Sequence, residues 1–123
     1  MKEYNDLNIL TAYRKCCENP GYKIGIADIT VEKSITSYEN TLKMLECEDI
    51  YNHVKSCKKS MMGCEIIFLN SSRIRFFKAT ESVRGFAFCE LLVSPELSIE
   101  EQRWIRYTEK INYEQYAKIH KKQ

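Results

Sequence analysis

Cysteine and histidine are the side chains that most often bind metals or act as nucleophiles, and this sequence has six cysteines and two histidines. Four of them fall within one stretch of the chain: Cys47, His53, Cys57 and Cys64. Structural zinc sites are typically built from closely spaced pairs such as CxxC, and no such pair occurs here. Most of the cysteines stand where a small apolar residue would fit a helix face or a strand. We therefore predict free thiols, with neither a metal nor another cofactor, although the spacing leaves open whether these four residues meet in space.

The same residue types would serve a cysteine hydrolase, in which a histidine removes the proton of a nucleophilic thiol. His53 and His120 have no neighbours in the sequence that suit general-base work, and no segment carries a recognisable nucleophile signature. The sequence therefore does not predict an enzyme of this class.

A further set of side chains consists of basic residues that alternate with apolar and aromatic ones in the segment Arg73–Ala79, RIRFFKA. Such a segment suits a nucleic-acid face, where cations contact phosphates and rings stack on bases. It suits equally an amphipathic strand whose charged side faces water. Phe76 and Phe77 point to opposite faces of a strand, so either both faces are covered or one ring is a contact surface. The candidate contacts to phosphate or nucleic acid are Arg73, Arg75, Lys78 and Arg84.

The spacing of apolar residues predicts the elements that position these side chains. Spacings of three and four predict helices over residues 6–17 and 35–45, and a further helical piece that begins at Asp49 and buries Ile50, Val54 and Cys57. Short apolar runs bounded by turn residues predict strands over residues 22–29, 64–69, 73–79 and 86–93. The second and third of these strands would form a hairpin, and the fourth is apolar enough to be buried on both faces.

The C-terminal part of the chain is predicted to form one long helix, residues 98–120, followed by a short basic tail. Ser98 and Glu101 fit a capping box at its start, and Trp104, Tyr107 and Ile111 would form its apolar stripe. Strands that alternate with helices predict an α/β fold, with a small mixed sheet and helices packed on it.

Length, charge and hydropathy limit the class of protein. A chain of 123 residues has the size of one domain, so we predict a single domain over residues 1–123. The net charge of +2 is too small for a protein that binds nucleic acid through its overall charge. No apolar run approaches the roughly 20 residues of a membrane span, and the first residues, MKEYNDLNIL, lack the features of a secretory signal. A cytoplasmic protein without a membrane partner is therefore predicted.

Residues 65–93 read EIIFLNSSRIRFFKATESVRGFAFCELLV, with a turn at Asn70-Ser71-Ser72 and a second turn at Val83-Arg84-Gly85. This order of strand, turn, strand, Val-Arg-Gly and apolar strand resembles the ATPase domain of the phage large terminase subunit, the motor that packages DNA. The elements at 22–29 and 35–45 are compatible with the family's order, and residues 6–17 would be what remains of its phosphate-binding helix. The resemblance implies part of a P-loop nucleotidase core, with Arg84 near the nucleotide and the DNA.

Two departures from the family concern its catalytic residues. The chain contains no GxxxxGK[ST] loop, so the main anchor for a triphosphate and its Mg²⁺ is missing. The apolar strand is followed by Ser94 and Pro95 where the family has Asp and Glu, the residues that hold the metal and orient the attacking water. Glu96 would replace them only if the strand slipped by one residue, which would exchange its inward and outward faces.

A scaffold that keeps the apolar pattern and loses the catalytic residues predicts a non-catalytic phage or prophage accessory protein, located in the host cytoplasm if viral. We expect it to act by binding a partner protein. Tyr113 and Tyr116 lie beyond the apolar stripe of the last helix and are the predicted protein contacts.

Two alternatives stay open. The first is an accessory protein that binds nucleic acid, DNA included, through the basic hairpin and the Val-Arg-Gly turn. The second is a protein that binds a nucleotide or another small ligand, without hydrolysis, in a pocket near Arg84 and Ser94. The sequence leaves the oligomeric state open, a homo-oligomer included. A parallel sheet in which the strand at 86–93 lies beside the strand at 22–29 would support the resemblance, and an all-antiparallel sheet would dismiss it.

Overall fold

The structure, a computed structural model, describes residues 1–47, 52–60, 63–80 and 86–111. Within these residues a mixed sheet of six strands is packed with three helices. The strands are β1 (Lys2–Glu3), β2 (Lys23–Asp28), β3 (Val54–Ser60), β4 (Gly63–Phe68), β5 (Arg73–Lys78) and β6 (Glu90–Val93). The helices are α1 (Asp6–Glu18), α2 (Val31–Glu46) and α3 (Ile99–Arg106). The predicted α/β class, a small mixed sheet with packed helices, is confirmed.

The strands lie in the order β1-β6-β2-β5-β4-β3. The first four of these run parallel to one another, and β4 and β3 continue the sheet antiparallel. Strand β6 therefore lies beside β2 in parallel. Parallel neighbours joined by crossover connections are general in α/β sheets, so this arrangement does not by itself identify a family.

Helices α1 and α2 cover one face of the sheet and bury the larger hydrophobic core. This first core consists of Ile9, Ala12, Tyr13, Cys16, Tyr22, Ile24, Ile26, Tyr38, Leu45, Cys64, Ile66, Phe68, Ile74, Phe76 and Leu92. The two helices begin where the sequence provides caps. The Asn5 side chain accepts a hydrogen bond from the Asn8 N–H, and the Thr30 hydroxyl accepts one from the Lys33 N–H. Helix α2 thus begins at Val31, four residues before the predicted start.

A second, smaller core fills the other face beneath α3 and the segment that precedes β6. It consists of Ala27, Phe77, Ala79, Phe88, Leu91, Val93, Leu97 and Ile105. Phe76 lies in the first core and Phe77 in the second, so both faces of β5 are covered at this point. Neither phenylalanine is therefore a contact surface.

Gly25 makes the second core possible. The ring of Phe88 packs closely against this part of β2, and a Cβ at residue 25 would be only 2.5 Å from Phe88 Cε2. The Phe88 ring in turn stacks on Phe77, with centroids 5.6 Å apart and an angle of 15° between the planes. The glycine therefore provides a close approach between strand and ring, rather than a weak point in the strand.

Several predicted boundaries are wrong. Val54–Ser60 is a strand paired with β4, whereas a helical piece was expected to bury Val54 and Cys57. Cys57 is exposed, and residues 48–51 lie outside the described part of the chain. Strand β6 covers only the last part of the predicted strand at 86–93, and the short strand β1 was not predicted. Pairing partners, which local spacing does not reveal, decide these segments.

The last helix also differs from its prediction. Its capping box is present, because the Ser98 hydroxyl accepts from the Glu101 N–H and the Glu101 carboxylate accepts from the Ser98 N–H. The helix ends at Arg106, however, and residues 112–120 of the predicted span lie outside the described residues. Its buried residue is Ile105, whereas Trp104 is only partly buried and Tyr107 is exposed.

Candidate functional site

The predicted basic site divides between two faces of the sheet. Arg73 and Arg75 lie on the face that carries the second core, and both guanidinium groups approach the carboxylate of Glu65, at 3.4 Å and 3.6 Å. Lys78 has the opposite parity along β5 and lies at its exposed end. Arg84 of the predicted site, together with Tyr113 and Tyr116 of the predicted protein contact, lies outside the described residues.

The strand register adds two cations that sequence reasoning did not connect with the hairpin. Lys23 is paired with Arg73 across β2 and β5, and Lys58 is paired with Glu65 across β3 and β4. Directly paired residues project from the same face of a sheet. We call this surface the open face; it comprises Lys23, Lys58, Glu65, Ile67, Arg73 and Arg75. Within this set four cations face one carboxylate.

A groove of about 350 Å³ runs along the open face between the start of β2 and Phe86. The guanidinium carbon of Arg75 lies 4.3 Å above the centre of the Phe86 ring, a cation–π contact. The Arg75 Nε is buried and makes no hydrogen bond. Arg73 keeps half of its side chain exposed. The groove therefore offers positive charge next to an aromatic ring.

A second concave region lies at the carboxyl ends of β1, β2 and β6, and we call it the strand-end crevice. Its lining residues are Tyr4, Asp28, Lys33, Thr36, Ser37, Ser94 and Glu96, and its volume is about 410 Å³. Helices α1 and α2, which follow β1 and β2, lie on the first-core face, whereas α3, which follows β6, lies on the other. In open α/β sheets ligands bind in the crevice formed where neighbouring strands connect to opposite faces.

Asp28, the last residue of β2, is the most unusual side chain in the crevice. It is only 5% exposed, and its Oδ2 atom is buried without a hydrogen-bond partner. Burial raises the pKa of this carboxyl to about 6, and the nearby charge of Glu96 adds to the rise. A hydrogen bond from Ser37 and the charge of Lys33 act in the opposite direction. A buried acceptor without a donor is destabilising, so it marks a place where a ligand can supply one.

The rim of the crevice consists of polar groups with defined partners. Lys33 forms an ion pair with Glu96, and both side chains are about half exposed. The Ser94 hydroxyl accepts a hydrogen bond of 3.2 Å from the Glu96 N–H. On the opposite side the Tyr4 hydroxyl lies 2.9 Å from Thr41 Oγ1 and donates to the Ser37 carbonyl at 3.2 Å. Burial raises the pKa of Tyr4, so this hydroxyl keeps its proton.

Ser94 directly follows strand β6, and Glu96 lies beyond the strand, as the sequence predicted. Strand β6 ends at Val93, and the Ser94 N–H continues the sheet by donating to the Ala27 carbonyl at 2.9 Å. Glu96 follows in a turn and points to Lys33, so the strand has not slipped to bring it into the position of an acid at the strand end. Asp28 is the carboxylate that occupies such a position.

Sequence reasoning missed Asp28, although the sequence contains a signal for it. In YKIGIADIT an acidic residue ends an otherwise apolar strand and precedes a helix cap by two positions. Side chains at the carboxyl ends of parallel strands are the usual ligand contacts of α/β proteins. Recognising the site also required the neighbours from β1 and β6, and the sequence does not show which strands lie beside β2.

The cysteines do not assemble into a metal site among the described residues. No group of three or more His, Cys, Asp or Glu side chains there could hold a metal ion, and this covers Cys47, His53, Cys57 and Cys64. All six cysteines are free, with Cys16 and Cys64 buried and Cys47 and Cys57 exposed. Burial raises the pKa of Cys16 well above its ordinary value, which disfavours a reactive thiolate.

Comparison with models of protein families, with curated proteins and with solved structures finds no match. No helix among the described residues is both long enough and apolar enough to cross a bilayer.

Proposed function

We propose that this protein acts by binding, without catalysis, and that the strand-end crevice is its binding site for a small polar ligand. The observation that carries the proposal is Asp28, a buried carboxylate whose Oδ2 lacks a donor in a crevice of about 410 Å³. Small-molecule sites combine a concave surface with a few converging polar groups. Ser37, Ser94 and Glu96 supply such groups around Asp28.

The charges of the crevice argue against a nucleotide as this ligand. Asp28 and Glu96 are carboxylates, whereas Lys33 is the single cation among the described lining residues and is already paired with Glu96. A polyphosphate would meet two like charges here, and the chain has no GxxxxGK[ST] loop to hold it. A ligand that donates hydrogen bonds fits the crevice better than one that accepts them.

A thermal-shift screen of small polar compounds tests the proposal. A ligand that binds the folded state raises the unfolding midpoint, and we expect the response to be lost in Asp28→Asn. The matched control is Glu18→Gln, which changes an exposed carboxylate at the end of α1. If binding compounds stabilise Asp28→Asn as much as wild type, they do not bind in the crevice and the proposal fails.

The non-catalytic part of the proposal has its own test. It is supported by the missing phosphate loop and by Ser94 and Pro95 in place of an acidic pair. Purified protein is expected to release no phosphate from ATP above the background rate. Hydrolysis that disappears in Glu96→Gln would overturn this part and would assign Glu96 a catalytic role.

A second candidate function is the binding of single-stranded nucleic acid on the open face. It is favoured by the excess of cations over carboxylates there, and by Phe86 at the end of the groove. Single strands bind to basic grooves in which rings accept stacked bases. Glu65 neutralises part of this charge, because it pairs with Arg73 and Arg75 together. The second candidate therefore ranks below the crevice.

Fluorescence polarisation with a labelled single-stranded oligonucleotide tests this second candidate. We expect the affinity to fall with rising salt, because bound cations release counterions from phosphates. Arg73→Gln should weaken binding more than the control Lys43→Gln, which removes an exposed charge from α2 on the opposite side of the sheet. Equal losses in the two variants would remove the open face as the contact surface.

We also propose three properties that are supported by the sequence and its resemblance to the terminase ATPase domain, and not by the geometry of the crevice. These are a partner protein bound through Tyr113 and Tyr116, a terminase-like scaffold and a phage or prophage setting. A pull-down that compares wild type with Tyr113→Ala and Tyr116→Ala tests the first of them.

A further inference from the structure

We infer that the ligand of the strand-end crevice carries an ammonium group and that this group binds Asp28. The inference rests on the proposed function, because it names the chemical class of the ligand for the same site. Asp28 Oδ2 is a hydrogen-bond acceptor that no side chain or backbone group of the described residues satisfies. An ammonium group brings both the missing donors and a compensating charge.

The charged and polar groups near Asp28 come from four parts of the chain. Helix α2 contributes Lys33 and the hydroxyl of Ser37, the segment after β6 contributes Glu96, and the segment after β1 contributes the Tyr4 hydroxyl. On the neighbouring strand, Lys78 of β5 is paired with Asp28 and has an exposed side chain that is not part of the described lining. Lys33 and Glu96 neutralise each other. Among the described residues of the lining, the remaining formal charge is that of Asp28, so a cation is its electrostatic complement.

The amino end of α2 is the feature that would favour an anion in the crevice, because helix N-termini carry positive partial charge. Its orphan N–H groups are partly used, since Thr30 accepts from the Lys33 N–H through its hydroxyl and from the Ser34 N–H through its carbonyl. An anion drawn to this end would also approach Asp28 and Glu96. The described lining holds two carboxylates and one ammonium group, and this net negative charge disfavours an anion and favours a cation.

A ligand reaches Asp28 past the Lys33–Glu96 ion pair at the rim of the crevice. Its Oδ2 atom is shielded from solvent, whereas the side chains of Lys33 and Glu96 are about half exposed. Exposed ion pairs contribute little stability, so this pair can separate when a ligand enters. The ammonium group of the ligand can then form ion pairs with Asp28 and Glu96, as Lys33 does with Glu96 in the free protein.

The affinity for an ammonium ligand depends on the ionisation of Asp28. Its pKa is raised to about 6 by burial, so a growing fraction of the free protein carries the protonated, uncharged form below that pH. Binding should therefore strengthen by about tenfold between about pH 5 and about pH 7.5. Asp28→Asn should remove this pH dependence and weaken binding by at least about tenfold, because the charge-assisted hydrogen bond is lost.

The experiment uses three probes with the same four-carbon chain and different charge: putrescine, butanediol and succinate. Each is titrated into the full chain, and binding is measured by calorimetry and by the shifts of the backbone amide signals of Asp28, Lys33 and Glu96. We expect putrescine alone to move these signals, with an affinity that depends on pH as stated. Glu18→Gln should bind putrescine as wild type does, and the amide spectrum of Asp28→Asn confirms that this variant is folded.

The outcomes separate the inference from the proposed function. Preferential binding of butanediol or succinate at these amides would overturn the ammonium class and leave the crevice as a binding site. Putrescine binding that is unchanged in Asp28→Asn would place the ammonium elsewhere and overturn the inference. If no probe moves the crevice signals, the ammonium class fails, and the compound screen on Asp28→Asn then decides whether the crevice binds anything.

Discussion

At the scale of single residues, Asp28 destabilises the folded state locally within an otherwise well-packed sheet. It lies at the end of β2, where Ile24 and Ile26 of the same face belong to the first core. A buried carboxylate with one unpartnered oxygen destabilises the folded state unless it is protonated or supplied with a donor. Buried ionisable groups with perturbed pKa values are typical of functional sites. This supports the crevice, rather than the basic hairpin, as the binding site.

The pH dependence of stability should reveal this cost. The pKa of folded Asp28 is about 6, above its ordinary value of 3.8, so the folded protein holds this proton more tightly than the unfolded chain. The stabilisation is therefore complete below about pH 4 and is lost as the pH rises through about 6. Relative to Asp28→Asn, wild type should lose on the order of 2 kcal/mol of unfolding free energy across this window. Urea unfolding of both proteins at a series of pH values measures the difference; a difference that is constant with pH contradicts the assignment.

Gly25 provides a second prediction at the scale of one residue. In Gly25→Ala the new methyl group would overlap the Phe88 ring, which Phe77 holds from the other side. We expect a loss of about 1–3 kcal/mol of unfolding free energy, the usual cost of overpacking. The same substitution in a Phe88→Leu background should cost less, and urea unfolding of the four proteins gives the coupling. Additive losses would show that the ring is not the cause.

At the scale of elements, the buried carboxylate of Glu90 connects four parts of the fold. It lies on β6 and accepts a hydrogen bond of 3.2 Å from the Tyr22 hydroxyl before β2. It also pairs with Lys2 of β1 at 3.1 Å and with Lys15 of α1 at 3.6 Å. Burial, followed by the charge of Glu90, raises the pKa of Tyr22, so this phenol stays a donor. Unlike Asp28, Glu90 is fully partnered, which makes it a structural group.

Two substitutions separate the hydrogen bond of Glu90 from its charge. Glu90→Gln keeps an acceptor for Tyr22, and its partners Lys2 and Lys15 are exposed enough to be solvated. Glu90→Ala removes the carboxylate that accepts from the Tyr22 hydroxyl and should cost about 1–3 kcal/mol more than Glu90→Gln. Chemical denaturation of the two variants measures this difference. If both lose the same stability, the ion pairs rather than the tyrosine bond account for the role of Glu90.

At the scale of the whole molecule, the sheet separates two hydrophobic cores. Phe76 and Phe77 are neighbours in the chain and belong to different cores, so a single strand connects the packing on both sides. Trp104, the only tryptophan of the chain, packs against the second core. Its fluorescence therefore reports on one side of the sheet, whereas far-ultraviolet circular dichroism reports on the whole fold.

Phe76→Leu tests whether the two cores unfold together. The substitution leaves a cavity in the first core and should cost about 1–3 kcal/mol. If the chain unfolds as one unit, the urea midpoints of Trp104 fluorescence and of circular dichroism should move together. A shift of the circular dichroism midpoint with an unchanged fluorescence midpoint would show that the two cores unfold independently.

Local chemistry predicted much of the fold. The cap at Ser98, the hairpin around Asn70 and the apolar strand at β2 depend on residues close together in the sequence, and these predictions were confirmed. The failures have a common physical cause. Val54–Ser60 became a strand because β4 offers a pairing edge, a partner that the spacing of its own apolar residues does not reveal.

The candidate sites show the same division between local and tertiary information. The sequence by itself determined the α/β class, the missing phosphate loop and the Ser94-Pro95 end of β6, because each depends on residue identity or short-range spacing. Only the tertiary structure decided that Glu65 pairs with the arginines of the hairpin and that Asp28 lies buried with an unpartnered oxygen. Burial and charge pairing depend on which strands and helices become neighbours, and that is fixed by the order of the sheet, in which β6 inserts between β1 and β2.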